Sequence, residues 1–310
     1  METIDIVIVG AGPAGLSAAL YAARFCRSTL VLHDGNTRAL RIPLTHNAPG
    51  FDAGISGPDL IDRMTRHAAQ YGARFEEAHV ADIKKTDGLF VLEDDKGRQW
   101  QARSLILATG LHLNQIELDY ETHEEAIAHG VLRYCPVCDG FEHRDARIGV
   151  VGCDISGAAE ALFLSGYSDK VTLLPRRDVE LDAEQRAELD AAGVSTVTHP
   201  IVRYAPSEEE MAVYVEGEAE PLRFDVIYPA LGTKPRNDLA ALLGLSLNEA
   251  GKVSADTPFE TPVPGLYCAG DIVEGLDQIS VAMGHGAVAA TKAHNWLRKR
   301  EGETVEAVLG

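Results

Sequence analysis

A glycine-rich turn that occurs twice in this chain, each time between a strand and a helix, fixes most of what the chain can fold into. Ile4 to Val9 is a short apolar run that ends at Gly10-Ala11-Gly12-Pro13-Ala14-Gly15. Ala14 to Phe25 is rich in small side chains and reads as a helix packed closely on a sheet. Thr29 to His33 is a second apolar run, closed by Asp34. Strand, turn, helix and strand in that order make a βαβ unit with buried parallel strands. Gly10 permits the tight turn, Gly12 lets the backbone approach a pyrophosphate, and Gly15 lets the helix sit on the strand. The helix start, with Pro13 and Ala14, offers N–H groups and partial positive charge to phosphates. Asp34 is placed to accept hydrogen bonds from a ribose. The turn is therefore expected to bind a dinucleotide.

The second copy runs through Arg147 to Val151 (strand), Gly152-Cys153-Asp154-Ile155-Ser156-Gly157 (turn), Ala158 to Leu164 (helix) and Lys170 to Leu174 (strand). Asp154 stands where the middle glycine belongs, adding bulk and a negative charge next to any pyrophosphate. Between the copies, Gly57 to Tyr71 reads as an amphipathic helix. Arg74 to Val80, Leu89 to Glu93 and Gln99 to Arg103 read as a meander with a turn at Asp94-Asp95-Lys96-Gly97. Leu105 to Ala108 is a buried strand closing at Thr109-Gly110, and Val226 to Ala230 echoes it. The expected fold class is α/β, with two dinucleotide-binding, Rossmann-like domains of three-layer ββα type, the second inserted into the first. The expected division is 1–112 and 241–310 for the first domain and 113–240 for the insertion. Leu111 to Asn114 and Lys234 to Asn237 serve as linkers.

Charge and cysteine content narrow the function. The 28 Lys and Arg against 47 Asp and Glu leave a net charge of −19, which disfavours nucleic acid and anionic membranes as partners. No run of about 18 apolar residues could span a bilayer, and the N-terminus lacks a basic, apolar leader, so a cytoplasmic protein is expected. The 5 cysteines are too few and too irregular for a secreted disulfide framework. Two of them lie in Cys135-Pro136-Val137-Cys138-Asp139-Gly140, between the two turns. A Cys-x-x-Cys pair lowers one thiol pKa and can close a reversible disulfide. Asp139 beside it can move the proton when the thiols change state. Zinc would need four ligands, and the sequence has no second Cys-x-x-Cys or paired histidines, so no metal is expected. Cys26, Cys153 and Cys268 read as inert small hydrophobes.

Several segments together resemble the low-molecular-weight thioredoxin reductases over almost the whole chain. They are the Gly10 to Gly15 turn, Asn47-Ala48-Pro49-Gly50-Phe51, Ile55-Ser56-Gly57, Ala108-Thr109-Gly110, Cys135 to Gly140, Ala269-Gly270-Asp271 and Gln278-Ile279. The resemblance implies a FAD-dependent pyridine nucleotide-disulfide oxidoreductase with FAD, rather than NAD, in the first turn. By the same resemblance, Asp271 bonds the flavin ribityl chain, while Asn47, Gln278 and Ile279 lie along the flavin ring. Cys138 is the inner sulfur facing the flavin, and Cys135 the outer one that attacks a partner disulfide. A thioredoxin-like protein or small dithiol is the implied partner, the inserted domain is implied to rotate, and a homodimer is implied.

The chain also departs from that pattern. Asp154 disturbs the NADPH turn, leaving Gly152, Arg176 and Arg177 as the residues that could still meet NADPH. Pro175 and Leu181 replace two expected basic or imidazole groups. Thr37 to Arg41 replaces a Gly-Gly-Gln stretch, Asp277 replaces an arginine, and His46 and His285 lie in segments expected near the flavin. Alternatives therefore stay open: a ferredoxin-linked reductase, an oxygen-using dithiol oxidase, or a non-catalytic flavin-binding redox sensor.

Overall fold

The computed structural model describes residues 1–177, 179–254 and 259–303. These residues pack as two units. One contains 1–40, 57–112 and the described residues after 233; the other contains 41–56 and the described residues of 113–233.

In the first unit, β1 (Thr3–Val9), α1 (Pro13–Arg24) and β2 (Thr29–His33) form the βαβ element. The chain continues through α2 (Gly57–Ala69), β3 (Arg74–Glu77), β4 (Val80–Thr86), β5 (Leu89–Asp94) and β6 (Gln99–Leu107). The strand order is β3-β2-β1-β6-β5-β4. The pairings β3-β2-β1-β6 are parallel, and β6-β5-β4 are antiparallel.

Two strand expectations need correction here. Arg74 to Val80 is two strands, because its halves serve opposite edges of the sheet. The Ala78 N–H still bonds His33 O at 2.8 Å, after which Val80 starts the ladder with β5. Gln99 to Arg103 and Leu105 to Leu107 are one strand, and Ala108 lies just beyond its end. Ser104 reads as a break between them, yet it is buried and its hydroxyl donates to Gly265 O at 2.8 Å.

Alternation along the strands builds two cores. Ile6, Ile8, Val31 and Ile106 face one layer, and Val7, Val9, Leu30, Leu32, Leu105 and Leu107 face the other.

The chain leaves this unit through β7 (Leu111–Leu113). The second unit contains α3 (Tyr120–His129), the single-turn α4 (Pro136–Asp139), β8 (Ile148–Val151), α5 (Ile155–Ser165), β9 (Val171–Leu174) and α6 (Ala183–Ala191). It closes with β10 (Ser195–Thr196), β11 (Ile201–Pro206), β12 (Met211–Val215), β13 (Leu222–Phe224) and β14 (Val226–Pro229). A parallel sheet of order β10-β9-β8-β14 is accompanied by the antiparallel β11-β12-β13. Val150, Leu173 and Tyr228 face the α5 side, whereas Val151, Leu174 and Ile227 face the core shared with Met211 and Val213. A slip of one residue in β14 would exchange Tyr228 for Ile227.

The return runs through β15 (Thr233–Pro235), which pairs with β7, then α7 (Asp238–Leu242), β16 (Leu266–Cys268) and α8 (Ile279–Arg300). α8 lies against α1 at backbone distance: a Cβ on Gly286 would come within 2.0 Å of Ala14 O.

The division differs from the expected 113–240 insertion at two points. Leu239 and Ala240 belong to the first unit's core. Residues 41–56 pack with the second unit, held by Arg41–Glu124 at 3.2 Å and His46–Glu142 at 3.2 Å.

Candidate functional site

The first glycine turn joins β1 to α1. A Cβ on Gly15 would lie 1.9 Å from Gly10 O, so only glycine lets the helix start this close to the strand. Gly12 has room instead: its Cβ would meet only the Thr37 hydroxyl, at 3.1 Å. Gly12 is the N-cap of α1, Pro13 is its first residue, and no side chain bonds the cap. The first-turn N–H groups, those of Ala14 and Gly15 among them, have no acceptor within the helix by its geometry. A cleft of about 330 Å³ opens beside the turn, lined by Gly10, Leu32, Asp34, Val80, Thr109 and Arg236. Asp34 accepts from the Asn36 N–H at 2.9 Å and pairs with Arg236 at 3.1 Å. The Thr109 hydroxyl donates to Arg236 O at 2.7 Å, and Gly110 O accepts the Arg236 N–H at 2.9 Å. Ala108 walls the turn, its carbonyl 2.2 Å from where a Cβ on Gly10 would sit.

Gly270 presses on Ala14, with a Cβ there reaching to 2.7 Å of the alanine methyl. Asp271 follows it and pairs with Arg38 at 3.0 Å. Burial raises the Asp271 pKa, and Arg38 opposes that rise. Gln278 is the N-cap of α8 and Ile279 its first residue. His285 lies further along α8, against Phe259 at 4.4 Å between ring centroids, and burial holds its pKa below the ordinary imidazole range. An uncapped helix start, an open middle glycine and an adjoining cleft at the carboxyl ends of β1 and β2 fit a dinucleotide such as FAD.

The second turn keeps the packing and loses the cradle. A Cβ on Gly157 would lie 1.5 Å from Gly152 O, the same close approach as in the first turn. Asp154, however, is the N-cap of α5, and its Oδ1 accepts the Gly157 N–H at 2.9 Å. One N–H of the helix start is already taken by the chain's own carboxylate. Burial and Asp154 together push the Glu160 pKa up to about 7. An open cleft of about 650 Å³ beside the turn is lined by Gly152, Asp154, Arg176, Arg177, Glu180 and Leu231. Arg176 pairs with Glu117 at 2.8 Å. A pyrophosphate here would lose the Gly157 N–H and meet Asp154 and Glu180, so the residues present do not fit the diphosphate of NADPH.

Cys135 and Cys138 are joined by a disulfide across the one turn of α4. The Cys138 N–H bonds Cys135 O at 2.9 Å, and the Gly140 N–H bonds Pro136 O at 2.9 Å, so Pro136 and the glycine fix the turn. Asn47 belongs to the segment that packs here: its Nδ2 donates to Val137 O at 3.4 Å, and its Oδ1 accepts from Thr45 at 2.8 Å. Asp139 ends the turn. Its Oδ1 accepts from the Tyr228 hydroxyl at 2.7 Å, and its Oδ2 lies 3.4 Å from Arg133 Nε. Burial raises the Asp139 pKa, while Tyr228 and Arg133 pull it down. The remaining cysteines are unlike this pair: burial pushes the thiols of Cys153 and Cys268 up to about 12. Cys26 is exposed at the end of α1. Among the described residues no cluster of three or more His, Cys, Asp or Glu could hold a metal, and no helix is long and apolar enough to cross a membrane.

A disulfide that falls, along the chain, between two glycine turns on parallel sheets agrees with what the chain matches elsewhere. A family profile for pyridine nucleotide-disulphide oxidoreductases covers residues 4–286. The chain belongs to that family. It is an oxidoreductase, and its relatives are thioredoxin reductases. It is 32% identical to the thioredoxin reductase of Listeria innocua over 98% of this chain and 96% of that one. It is 30% identical to the thioredoxin reductase of Bacillus subtilis over 95% of each chain. The crystal structure of thioredoxin reductase from Streptococcus pyogenes superposes with a TM-score of 0.87 at 26% identity, covering 96% of this chain and 99% of that one.

Within this member of the family, the first-unit residues Gly10 to Gly15, Asp34, Ala108 to Gly110, Gly270 and Asp271 gather around one turn. Asn47 lies beside the cysteines. Sequence reasoning missed Tyr228, Arg133 and Arg38. Tyr228 looks like any aromatic in a buried strand, and Arg133 like any charge after a helix, because both partnerships span the fold. Arg38 shows in the sequence as part of a departure from the family pattern and of a basic pair with Arg41, with no sign of its partner Asp271.

Proposed function

We propose that this chain holds FAD at the first glycine turn and moves electron pairs through the Cys135–Cys138 disulfide to a thioredoxin-like protein or another dithiol partner. The observation that carries this is the disulfide itself, closed on one helical turn and followed at once by a half-buried carboxylate. FAD, when bound, supplies a two-electron carrier. The uncapped start of α1 receives the pyrophosphate, and Asp34 and Asp271 take hydroxyl donors, each trading part of its present arginine contact.

Reduction of the disulfide takes two electrons and two protons. Asp139 holds one proton next to Cys138 and delivers it to the departing sulfur, and solvent supplies the second. In exchange with a partner, one cysteine thiolate attacks the partner's disulfide, and a mixed disulfide forms as the partner's own S–S bond breaks. The second cysteine then closes on the first, and the partner leaves as a dithiol. We assign the attack to Cys135 and the closing to Cys138.

The self-capped second turn favours a second reading of the electron source. Electrons enter by a route other than NADPH, such as a ferredoxin or a dithiol substrate. In the dithiol case the pair passes on to oxygen, giving a disulfide and hydrogen peroxide from a dithiol and O₂.

Anaerobic absorbance spectra test both readings. The purified protein should be yellow, should bleach with excess dithiol, and should fail to bleach with dithiol after Cys138→Ser. Colourless protein that refuses FAD overturns the first reading. Rapid bleaching of the wild type by stoichiometric NADPH overturns the second.

A further inference from the structure

We infer that Tyr228 and Arg133 are positioning residues that clamp the Asp139 carboxylate, one on each oxygen, and so set the pH at which it gives its proton to the cysteine pair. This deepens the proposed function and rests on Asp139 being the proton carrier there.

The geometry is specific. Asp139 is held by α4 one residue beyond Cys138, so its backbone cannot wander. The Tyr228 hydroxyl donates to Oδ1 at 2.7 Å from the middle of β14, where the tyrosine is fully buried. β14 pairs in parallel with β8, Tyr228 opposite Val150, so the hydroxyl is aimed by the sheet register. On the other oxygen, Arg133 Nε stands 3.4 Å from Oδ2 and, though buried, has no hydrogen-bond acceptor in proper geometry. That donor is left for the carboxylate alone.

The chemistry needs such a clamp. Burial by itself raises the Asp139 pKa and makes the carboxyl a poorer donor. A hydroxyl donor and a guanidinium favour the charged form. Burial and the adjacent carboxylate push the Tyr228 pKa far above the ordinary phenol range, so the tyrosine keeps its own proton. Glu142 also acts on Asp139 and favours its neutral form, and His143 packs edge-on to Tyr228 at 6.0 Å between centroids. Burial lowers the His143 pKa, and Glu142 is itself paired with His46 at 3.2 Å. Tyr228 and Arg133 therefore oppose burial and Glu142, and that opposition keeps the proton exchangeable.

The test measures reduction of the Cys135–Cys138 disulfide in the full-length holoprotein by dithiothreitol, trapped with maleimide and read by mass, across pH. This readout does not depend on flavin bleaching. Asp139→Asn should slow reduction about 100-fold or more. Each other rate is taken as its ratio to Asp139→Asn at the same pH, which cancels titration of the dithiol.

That ratio should fall with rising pH as Asp139 ionises. In Tyr228→Phe, which removes one hydroxyl and keeps the ring, the fall should move to higher pH. Arg133→Gln, at the half-buried edge, should move it the same way, with thermal melts and flavin spectra unchanged. Profiles for both variants that superimpose on the wild type, while Asp139→Asn is slow, overturn the clamp. An Asp139→Asn protein as fast as the wild type removes the proton-carrier role itself, and the clamp with it.

Discussion

The two glycine turns share one packing solution and differ at the middle glycine, and that difference sets which N–H groups each helix start leaves open. Gly15 and Gly157 both let a helix start within van der Waals reach of a strand carbonyl. At the middle position, Gly12 leaves the start of α1 open, whereas Asp154 closes the start of α5 with its own side chain. A side-chain cap and a phosphate at a helix N-terminus compete for the same N–H groups, and at the second turn the Gly157 N–H is already taken. The outer glycines are thus requirements of the fold, and the middle glycine is a requirement of the ligand. That is why the second βαβ unit survives intact while its cradle does not.

The largest expected effect comes from transplanting the difference. Gly12→Asp should cap α1 as Asp154 caps α5, and the purified protein should lose its flavin absorbance. If it stays fully yellow, the contrast between the turns is wrong. Gly157→Ala tests the shared part. Its Cβ would meet a backbone oxygen that cannot move without shifting β8, at a cost of about 3 kcal/mol. A lowered denaturation midpoint with unchanged flavin content is the expected result.

Asp154→Gly restores the open form of the second turn. It should raise affinity for NADPH about tenfold or more, a gain of about 1.4 kcal/mol by calorimetry, while costing stability only about a few tenths of a kcal/mol. The smallest effect concerns Glu160, whose pKa is about 7 in the fold against 4.5 ordinarily. A carboxyl with a raised folded pKa lends stability that is complete below about pH 4.5 and lost as the pH rises through 7. Glu160→Gln should abolish that loss. At pH 8 it should be more stable than wild type by on the order of 1 kcal/mol, after allowing for the side chain's partial exposure. Equal pH slopes in denaturant melts of the two proteins would remove Glu160 from the contrast.

Local pattern made the βαβ elements legible, because strand, turn and helix signals all lie within about thirty residues. It failed where a strand's partner is remote. Arg74 to Val80 shows no internal sign that its two ends pair at opposite edges of the sheet. Ser104 reads as a break only because its acceptor, Gly265, lies far along the chain. The segment 41–56 looked continuous with the first unit because it follows it in sequence, yet Arg41 and His46 find their acidic partners in the second.

By itself the sequence determined the α/β class, the two turns, the pairing of Cys135 with Cys138, and the oddity of Asp154. Each of these depends on residues near one another along the chain. Only the tertiary structure decided that Asp154 caps its own helix, that residues 41–56 pack beside the cysteines, and that Tyr228 and Arg133 hold Asp139 from opposite sides. The Tyr228–Asp139 bond joins residues 89 apart. A hydrogen bond across such a span depends on sheet register and on which face of a strand is buried, and neither is written in any short stretch of sequence.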